Sequence, residues 1–280
     1  MAGPGCDRRV SQISGGVGWT YRPPVRVFRL RDGVGAVTLL RSALFNLFFF
    51  GSTLVLTVPA AALSLVAPER IMGWARFWAR IQIRAARLIC GIRLQVTGWE
   101  NLPAAPVLIA SRHESTFDIL VWIALLPAAC FVVKRELTQI PLFGRCIRAT
   151  GMISVDRKAG GAAMRTLLRG GDRAKAEGRH IIIFPEGTRV DPDEHPPLQP
   201  GVAALASRTG LPVVPVMTDS GRYWGRRAFR KRPGTIRIVI QSPLTVTHGR
   251  EAVLDALREA FDEGKLVDKS VGKNNVHFQS

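Results

Sequence analysis

Ser111-Arg-His-Glu-Ser-Thr-Phe-Asp118 is a polar segment that directly follows the apolar residues 108–110. A second segment, Phe184-Pro-Glu-Gly-Thr-Arg189, directly follows three isoleucines at 181–183. Short apolar runs of this kind are typical of strands that are buried on both faces of a parallel sheet. Parallel sheets bind ligands at the carboxyl ends of their strands. The two segments therefore predict an α/β fold in which both polar clusters meet at one edge of the sheet.

Short apolar runs alternate with helical patterns on both sides of these segments. Helices are predicted at 118–126, 161–177, 201–209 and 251–263. Strands are predicted at 94–96, 107–110, 130–133, 151–155, 180–184, 213–217 and 235–240. This alternation favours a mostly parallel sheet flanked by helices. We expect a catalytic domain over residues 94–264, followed by a polar tail over 265–280.

The amino-terminal third of the chain predicts a membrane segment. Residues 1–33 are rich in Gly, Pro and Arg and predict a disordered basic arm. Residues 42–68 contain no charge, and as a helix they would extend about 40 Å, beyond the roughly 30 Å hydrocarbon core of a bilayer. Pro59 is expected to kink or break this helix. The region 34–93 is therefore predicted to be embedded in a membrane, ahead of the catalytic domain.

A basic amphipathic helix is predicted after the uncharged run. Arg76, Arg80, Arg84 and Arg87 fall on one helical stripe, and tryptophans lie on other faces, as in helices that lie in a membrane interface. The same pattern also fits a solvated arginine face on a helix that packs against protein. Seven arginines in residues 1–41 and six in 69–93 favour the cytoplasm for both flanks. A hairpin in one leaflet that breaks near Pro59 and a kinked single span both remain open.

The chain is strongly basic. It carries 32 Arg and 7 Lys, a formal net charge of +18 and a mean hydropathy of +0.12. Such a charge attracts nucleic acid or anionic lipid, and the uncharged run 42–68 argues against a nucleic-acid-binding protein. The cysteines, at 6, 90, 130 and 146, have neither Cys-x-x-Cys spacing nor a neighbouring histidine pair. We therefore expect neither a disulfide framework nor a metal site.

The first polar segment predicts a general base. On a regular helix His113 and Asp118 would point about 140° apart, so they can meet only if His113 precedes a helix and Asp118 lies in its first turn. Ser115-Thr-Phe-Asp118 fits a capping box that would begin such a helix. Asp118 could then hold one imidazole nitrogen and leave the other as a base, or it could act as a cap alone. Because Gly-x-Ser-x-Gly is absent, the attacking hydroxyl is expected to come from a substrate.

The second polar segment predicts an anion site. Backbone N–H groups in the turn, the Thr188 hydroxyl and the Arg189 guanidinium would converge as a phosphate cradle. Glu186 would either order Arg189 or hold a substrate hydroxyl. Lys134 and Arg157 follow other predicted strands and would add positive charge to the same pocket. Taken one at a time, these features also fit an ordinary turn and solvated charges.

Taken together, the motifs resemble those of the glycerol-phosphate acyltransferase superfamily over residues 94–245, and specifically the 1-acylglycerol-3-phosphate acyltransferase family. The first motif matches His113 and Asp118, and the third matches residues 184–189 without a change. The second matches Gly151 and Arg157, although Ser154 and Val155 replace Phe and Ile. The apolar block around Pro215 also matches. The loop 198–201, Leu-Gln-Pro-Gly, lacks a Lys that relatives often carry, which loosens the assignment of acceptor preference.

The resemblance implies transfer of a fatty acyl group from acyl-CoA or acyl carrier protein to the sn-2 hydroxyl of 1-acylglycerol-3-phosphate, giving phosphatidate. His113 would be the base, oriented by Asp118, and no metal or organic cofactor would be needed. The residues expected to bind the substrate are Glu186, Gly187, Thr188, Arg189, Arg157 and Lys134. The enzyme would act at an anionic surface, on the cytoplasmic side of the inner membrane. Acylation of another lysolipid, such as a lyso-ornithine lipid, by the same chemistry is the alternative.

Overall fold

The computed structural model describes residues 34–245, 249–263 and 276–277. The predicted arm at 1–33 lies outside the described residues, as does the predicted tail at 265–280 apart from 276–277. Within the described residues the chain forms one sheet with helices on both faces.

The sheet has eight strands in the order β4-β3-β5-β2-β6-β7-β1-β8. Five neighbouring strands, β4 to β6 in that order, run parallel to one another, and β1 pairs in parallel with β7. The pairs β6–β7 and β1–β8 are antiparallel. The predicted mostly parallel sheet is therefore confirmed, with bounds that shift by one or two residues. The strands are β1 Ile92–Thr97, β2 Leu108–Ser111, β3 Ala129–Lys134, β4 Ile153–Val155, β5 His180–Ile183, β6 Val213–Thr218, β7 Gly234–Ile240 and β8 Val276–His277.

Helices cover both faces of the sheet. Helices α2 and α3 pack on one face, with α1 against α2, and helices α5, α6 and α8 pack on the other. The central strands β2 and β6 are buried along their whole length, which explains why they are apolar at every position rather than at alternate ones. Helix α4, which follows β3, was not predicted. The helices are α1 Val34–Val66, α2 Ile71–Cys90, α3 Thr116–Leu125, α4 Phe143–Ala149, α5 Gly161–Ala176, α6 Gly201–Thr209, α7 Ser220–Tyr223 and α8 Arg250–Glu263.

Helices α1 and α2 form a hairpin, but the chain does not break at Pro59. Helix α1 continues through this proline to Val66, so the predicted break there is wrong. The chain turns instead at Pro68–Arg70, where Pro68 occupies the first position of a short 3-10 turn. A proline fits this position because the first N–H groups of a helix have no partner in any case.

Polar side chains of α2 bond to α1 across the hairpin. The Trp74 indole donates to the Leu56 carbonyl at 3.1 Å, and the Trp78 indole donates to Thr53 Oγ1 at 3.1 Å. The Gln82 amide donates to Ser52 Oγ at 2.9 Å. These bonds fix the register of the two helices.

The outer surface of the hairpin is apolar on α1 and basic on α2. Within the described residues α1 is the one helix long and apolar enough to cross a membrane. On α2, Arg80, Arg84 and Arg87 are exposed, while Arg76 is half-buried. The opposite face of α2 packs against α1 and α3. The exposed apolar side chains of α1 include Val37, Leu40, Leu44, Leu47, Phe50, Leu54, Val55, Val58, Leu65 and Val66.

Candidate active site

The predicted site residues collect at the carboxyl edge of the five parallel strands. His113 follows β2, and Lys134 is the last residue of β3. Arg157 follows β4, and the segment 186–189 follows β5. All of these residues line one cavity, and Asp118 lies directly behind His113. The parallel topology therefore brings together residues that are up to 76 positions apart in the sequence (113 to 189).

His113 and Asp118 form a hydrogen-bonded pair. His113 Nδ1 lies 3.1 Å from Asp118 Oδ2, and the two side chains are 12% and 1% exposed. The same carboxylate oxygen accepts the backbone N–H groups of Glu114 at 2.9 Å and Ser115 at 2.8 Å. The Ser115 hydroxyl in turn accepts the Phe117 N–H at 3.1 Å, which completes a capping box. Asp118 thus caps α3 and holds the imidazole at once, so it does not act as a cap alone.

The His113 ring is fixed on a second side by the other motif. It stacks on the Phe184 ring with centroids 4.0 Å apart, and the His113 carbonyl accepts the Val190 N–H at 2.8 Å. Since Nδ1 faces Asp118, the nitrogen left for a substrate is Nε2. Among the described residues Nε2 has no hydrogen-bond partner. This ring can accept a proton from a group in the cavity.

The turn after β5 depends on Gly187. Its φ of +71° is in the left-handed region, and its N–H donates to the Phe184 carbonyl at 2.9 Å. A Cβ at this position would lie 3.1 Å from Gln199 Cγ. The Gly187 carbonyl accepts a hydrogen bond from the Arg157 guanidinium. The Gly187 amide therefore closes the turn, and the positive charge beside it comes from Arg157.

Arg189 lies on the same side of the cavity as the His113–Asp118 pair. Its guanidinium donates to Thr116 Oγ1 at 3.0 Å, in the first turn of α3. Burial lowers the pKa of Arg189 and so, secondarily, do the charges of Arg226 and Arg227. Burial likewise lowers the pKa of Arg157. For both arginines burial is the main cause, and Arg189 alone is also affected by neighbouring positive charges.

Glu186 contacts Arg112 rather than Arg189. Its Oε1 lies 3.8 Å from Arg112 Nε, and its side chain is 3% exposed. Its other oxygen, Oε2, is buried and has no hydrogen-bond partner among the described residues. Burial raises the pKa of Glu186 to about 7. The contacts do not show the first predicted role of Glu186, which was to order Arg189. For the second role, its unbonded Oε2 can accept a hydrogen bond from a substrate hydroxyl.

Arg112 and Glu114 are site residues that the sequence analysis missed, although they flank His113. Arg112 Nε lies 3.7 Å from Glu114 Oε1, and the Arg112 guanidinium donates to the Glu194 carbonyl at 2.7 Å. Glu114 Oε2 accepts the Gly221 N–H at 3.0 Å. Burial, followed by the charge of Asp118, raises the pKa of Glu114 to about 8. The signal for them was a run of three ionisable residues, 112–114, directly after a strand predicted to be buried. Charges in such a place are retained only when they are paired.

The cavity encloses about 1000 Å³ and joins the sheet edge to the α1–α2 hairpin. Its apolar walls include Leu56 and Ala60 of α1, Trp74 of α2 and Ile123 of α3. This combination of a long apolar chamber and a cationic end fits an amphiphilic anion. The sequence analysis also missed Arg226 and Arg227, which line the cationic end.

Comparisons with known proteins identify relatives of this chain. The acyltransferase family matches residues 93–219. The chain is 33% identical over 213 residues to the 1-acyl-sn-glycerol-3-phosphate acyltransferase of Pseudomonas aeruginosa, covering 74% of this chain and 81% of that protein. It is 26% identical over 202 residues to the human 1-acyl-sn-glycerol-3-phosphate acyltransferase alpha, covering 66% of this chain and 71% of that one.

A solved structure shares the fold. The crystal structure of the 1-acyl-sn-glycerophosphate acyltransferase from Thermotoga maritima superimposes with a TM-score of 0.63 at 21% identity. The match covers 84% of this chain and all of that one. At this identity the likeness supports the architecture alone.

Proposed function

The chain belongs to the 1-acyl-sn-glycerol-3-phosphate acyltransferase family, and from this premise we propose how its residues convert 1-acylglycerol-3-phosphate to phosphatidate. The acyl group comes from a thioester, either acyl-CoA or acyl carrier protein. His113 Nε2 accepts the proton of the sn-2 hydroxyl as that oxygen attacks the thioester carbonyl carbon. General-base catalysis of this kind contributes about 10²–10⁴ in rate.

The second half of the reaction returns the proton. The tetrahedral intermediate expels the thiolate, which takes the proton from the His113 imidazolium, so that neither a proton nor an electron pair is left over. Asp118 accepts the hydrogen bond from Nδ1–H, holds the imidazole in one orientation and stabilises the imidazolium. Two backbone N–H bonds already hold its carboxylate, so the imidazole needs no reorientation during the reaction.

The acceptor is held by its phosphate. Its phosphate is one carbon away from the carbon that carries the attacking hydroxyl, so the phosphate must bind close to His113. Arg189, which bonds to Thr116 in the first turn of α3, has this position, and Arg157 lies across the Gly187 turn. Thr188 and Lys134 line the same end of the cavity. The acceptor has no second hydroxyl for Glu186 Oε2, because the proton of its one hydroxyl, at sn-2, passes to His113 Nε2.

The observation that carries this proposal is the His113–Asp118 pair at the junction of a cationic end and an apolar chamber. The test gives the purified full chain a panel of lysolipids, including lysophosphatidate and a lyso-ornithine lipid, with acyl-CoA and acyl carrier protein donors. Products are followed by mass. Lysophosphatidate should give phosphatidate at the highest kcat/KM, and a higher value for the ornithine lipid would overturn the assignment of the acceptor.

For the membrane we propose that the α1–α2 hairpin enters the cytoplasmic leaflet from one side. The apolar stripe along the outer face of α1 and the exposed arginines of α2 support this arrangement. A label placed before Ser42 should then react from the cytoplasmic side, and reaction from the opposite side alone would replace the hairpin by a single crossing.

The α2 arginines provide a separate test of the surface. Near an anionic leaflet each basic side chain contributes about 1 kcal/mol, within a Debye length. Changing Arg80, Arg84 and Arg87 to Gln should reduce activity on anionic vesicles more at low salt than at high salt. Equal loss at both salt concentrations would show that these residues act within the protein instead.

A further inference from the structure

The loop after α7 places two arginines at the cavity that no motif of the sequence accounts for. Arg226 and Arg227 are exposed, yet they line the same cavity as His113 and Arg189. Residues that are both exposed and part of the lining lie where the cavity opens. Neither arginine makes a hydrogen bond or an ion pair with any residue in the described part of the chain. Two free guanidinium groups therefore stand at the mouth of the cavity.

The loop that carries these arginines is held rigidly. The Arg232 N–H donates to the Tyr223 carbonyl at 2.8 Å, which closes the base of the loop. Buried Lys231 donates to the Ala228 carbonyl at 3.0 Å and to Asn46 Oδ1 of α1 at 2.5 Å.

Helix α1 also contacts the loop through Trp224. Its ring meets the Phe45 ring edge-on with centroids 5.1 Å apart, and Lys231 Nζ lies 5.1 Å from the Trp224 ring. A loop fixed at its base and against α1 presents its arginines in a defined place, which reduces the entropy lost when they bind a ligand. The position of the pair is therefore set before any ligand arrives.

The charge at this end exceeds what one phosphate monoester requires. Arg157 and Arg189 already supply two guanidinium groups beside the dyad, each bonded to the chain. Arg226 and Arg227 add two more, and their charges, after burial, lower the pKa of Arg189. Like charges are gathered in this way at sites that bind polyanions or more than one anion. A second anionic group among the substrates would therefore account for the two additional arginines.

The thioester donor supplies such a group at the required distance. In a lysophosphatidate the phosphate is adjacent to the reacting hydroxyl, so it must bind near His113. In an acyl thioester of CoA or of acyl carrier protein, the pantetheine arm separates the reacting carbonyl from the nearest phosphate. A donor whose carbonyl is at His113 therefore has its phosphates toward the opening of the cavity, where Arg226 and Arg227 are exposed.

We propose that Arg226 and Arg227 bind the phosphate groups of the acyl thioester donor, while Arg189 and Arg157 bind the phosphate of the acceptor. This assignment rests on the proposed acyltransferase function and adds a donor subsite to it. Arginine suits the role because its guanidinium binds phosphate through two parallel hydrogen bonds.

The test compares two double variants of the full chain that remove the same charge. Arg226→Gln with Arg227→Gln changes the proposed subsite. Arg222→Gln with Arg232→Gln changes the same segment at two exposed residues that do not line the cavity, and is the control. The donors are acyl-CoA, S-acyl-phosphopantetheine and the S-acyl-N-acetylcysteamine thioester, which has no phosphate. The acceptor is lysophosphatidate throughout.

The subsite variant should raise KM for acyl-CoA about tenfold or more, since it removes charge-assisted hydrogen bonds. Its KM for lysophosphatidate and its rate with the phosphate-free thioester should stay within about twofold of wild type, as should all values for the control. A penalty with S-acyl-phosphopantetheine locates the contact at the phosphate that both natural donors share. A penalty with acyl-CoA alone locates it at the nucleotide.

Two results would overturn the donor subsite. One is a KM that rises for lysophosphatidate instead of the donor, and the other is an equal penalty with the phosphate-free thioester. Equilibrium binding of free CoA to the micelle-embedded chain separates this inference from the proposed function. If no donor supports turnover, the acyltransferase proposal fails, while CoA binding that weakens in the subsite variant alone would still support the subsite. Equal CoA affinity in both variants would refute it.

Discussion

At the sheet end of the cavity the His113–Asp118 pair is largely enclosed and hydrogen-bonded, whereas the hairpin end is lined mainly by apolar side chains. At the sheet end Asp118 accepts three hydrogen bonds through one oxygen. At the hairpin end Leu56 and Ala60 present apolar side chains, which form no directional hydrogen bonds. Proton transfer requires atoms in fixed positions, and an acyl chain requires only an apolar volume of suitable length. Substitutions at the two ends should therefore alter different kinetic constants.

The largest effect is expected for His113→Ala. Loss of the proposed general base should lower kcat by about 10³ or more, since the proton of the attacking hydroxyl passes to His113 Nε2. Folding and vesicle binding should be retained, because the hairpin end is unchanged. Turnover is measured by phosphatidate formation, together with circular dichroism and vesicle flotation. A folded variant that turns over at the wild-type rate would remove the dyad from the mechanism.

Asp118→Asn and Ser115→Ala separate the two roles of the capping box. Both weaken the cap of α3 and should lower the free energy of unfolding by about 0.5–2 kcal/mol. Asp118→Asn alone removes the anion at His113 Nδ1, so kcat should fall by about 10² or more in that variant and remain near wild type in Ser115→Ala. Unfolding in urea and steady-state kinetics give the two readouts. Equal loss of activity in both would mean that Asp118 acts only as a cap.

Arg189→Ala should mainly raise KM for lysophosphatidate, by about tenfold, because it removes a charge-assisted contact that is made throughout the reaction. Arg189→Lys should recover little of this loss, since an ammonium group cannot donate two parallel hydrogen bonds to phosphate. Arg208→Ala on the surface of α6, which bonds to Asp172 at 2.9 Å, is the control. A change confined to the KM of the donor would contradict the assignment of Arg189 to the acceptor.

At the hairpin end, Ala60→Phe should shorten the apolar chamber. Ala60 is buried and lines the cavity, whereas Ala62 on the same helix is exposed and does not. Ala60→Phe should reduce kcat/KM several-fold for long acyl chains and spare medium chains. The larger side chain would occupy the part of the cavity that only long chains reach. Ala62→Phe should leave the chain-length profile unchanged. An identical profile in the two variants would show that acyl chains do not reach Ala60.

The last prediction concerns the pH dependence of stability. The pKa values of Glu114 and Glu186, about 8 and about 7, are raised above the ordinary value of 4.5. The folded state therefore binds protons that the unfolded state releases, and the free energy of unfolding should fall as pH rises from about 5 to 8. Glu114→Gln should flatten this slope, and Glu259→Gln on the surface of α8 should not. Unfolding in urea across this pH range would show it, and an unchanged slope in Glu114→Gln would contradict the raised pKa.

Much of the site was predictable because it depends on local patterns. The capping box, the apolar runs of β2 and β5 and the Phe184–Arg189 segment each lie within a few residues of one another in sequence. Parallel strands then bring the ends of these segments together by a general rule of topology. Pro59 shows the limit of local rules, because the helix continues through it and turns at Pro68–Arg70.

The sequence by itself determined the mostly parallel sheet and the uncharged helix ahead of it, since both follow from periodicity and composition along the chain. It left two alternatives open for Asp118 and two for the arrangement of the membrane segment. Only the tertiary structure decided that Glu186 contacts Arg112, that Phe184 stacks on His113 and that Arg226 and Arg227 join the cavity. These contacts join elements that are distant in sequence. The position of the last pair is set by Lys231, whose hydrogen bond to Asn46 spans 185 residues. No local pattern encodes such a contact, because it forms only after the sheet and the hairpin have packed.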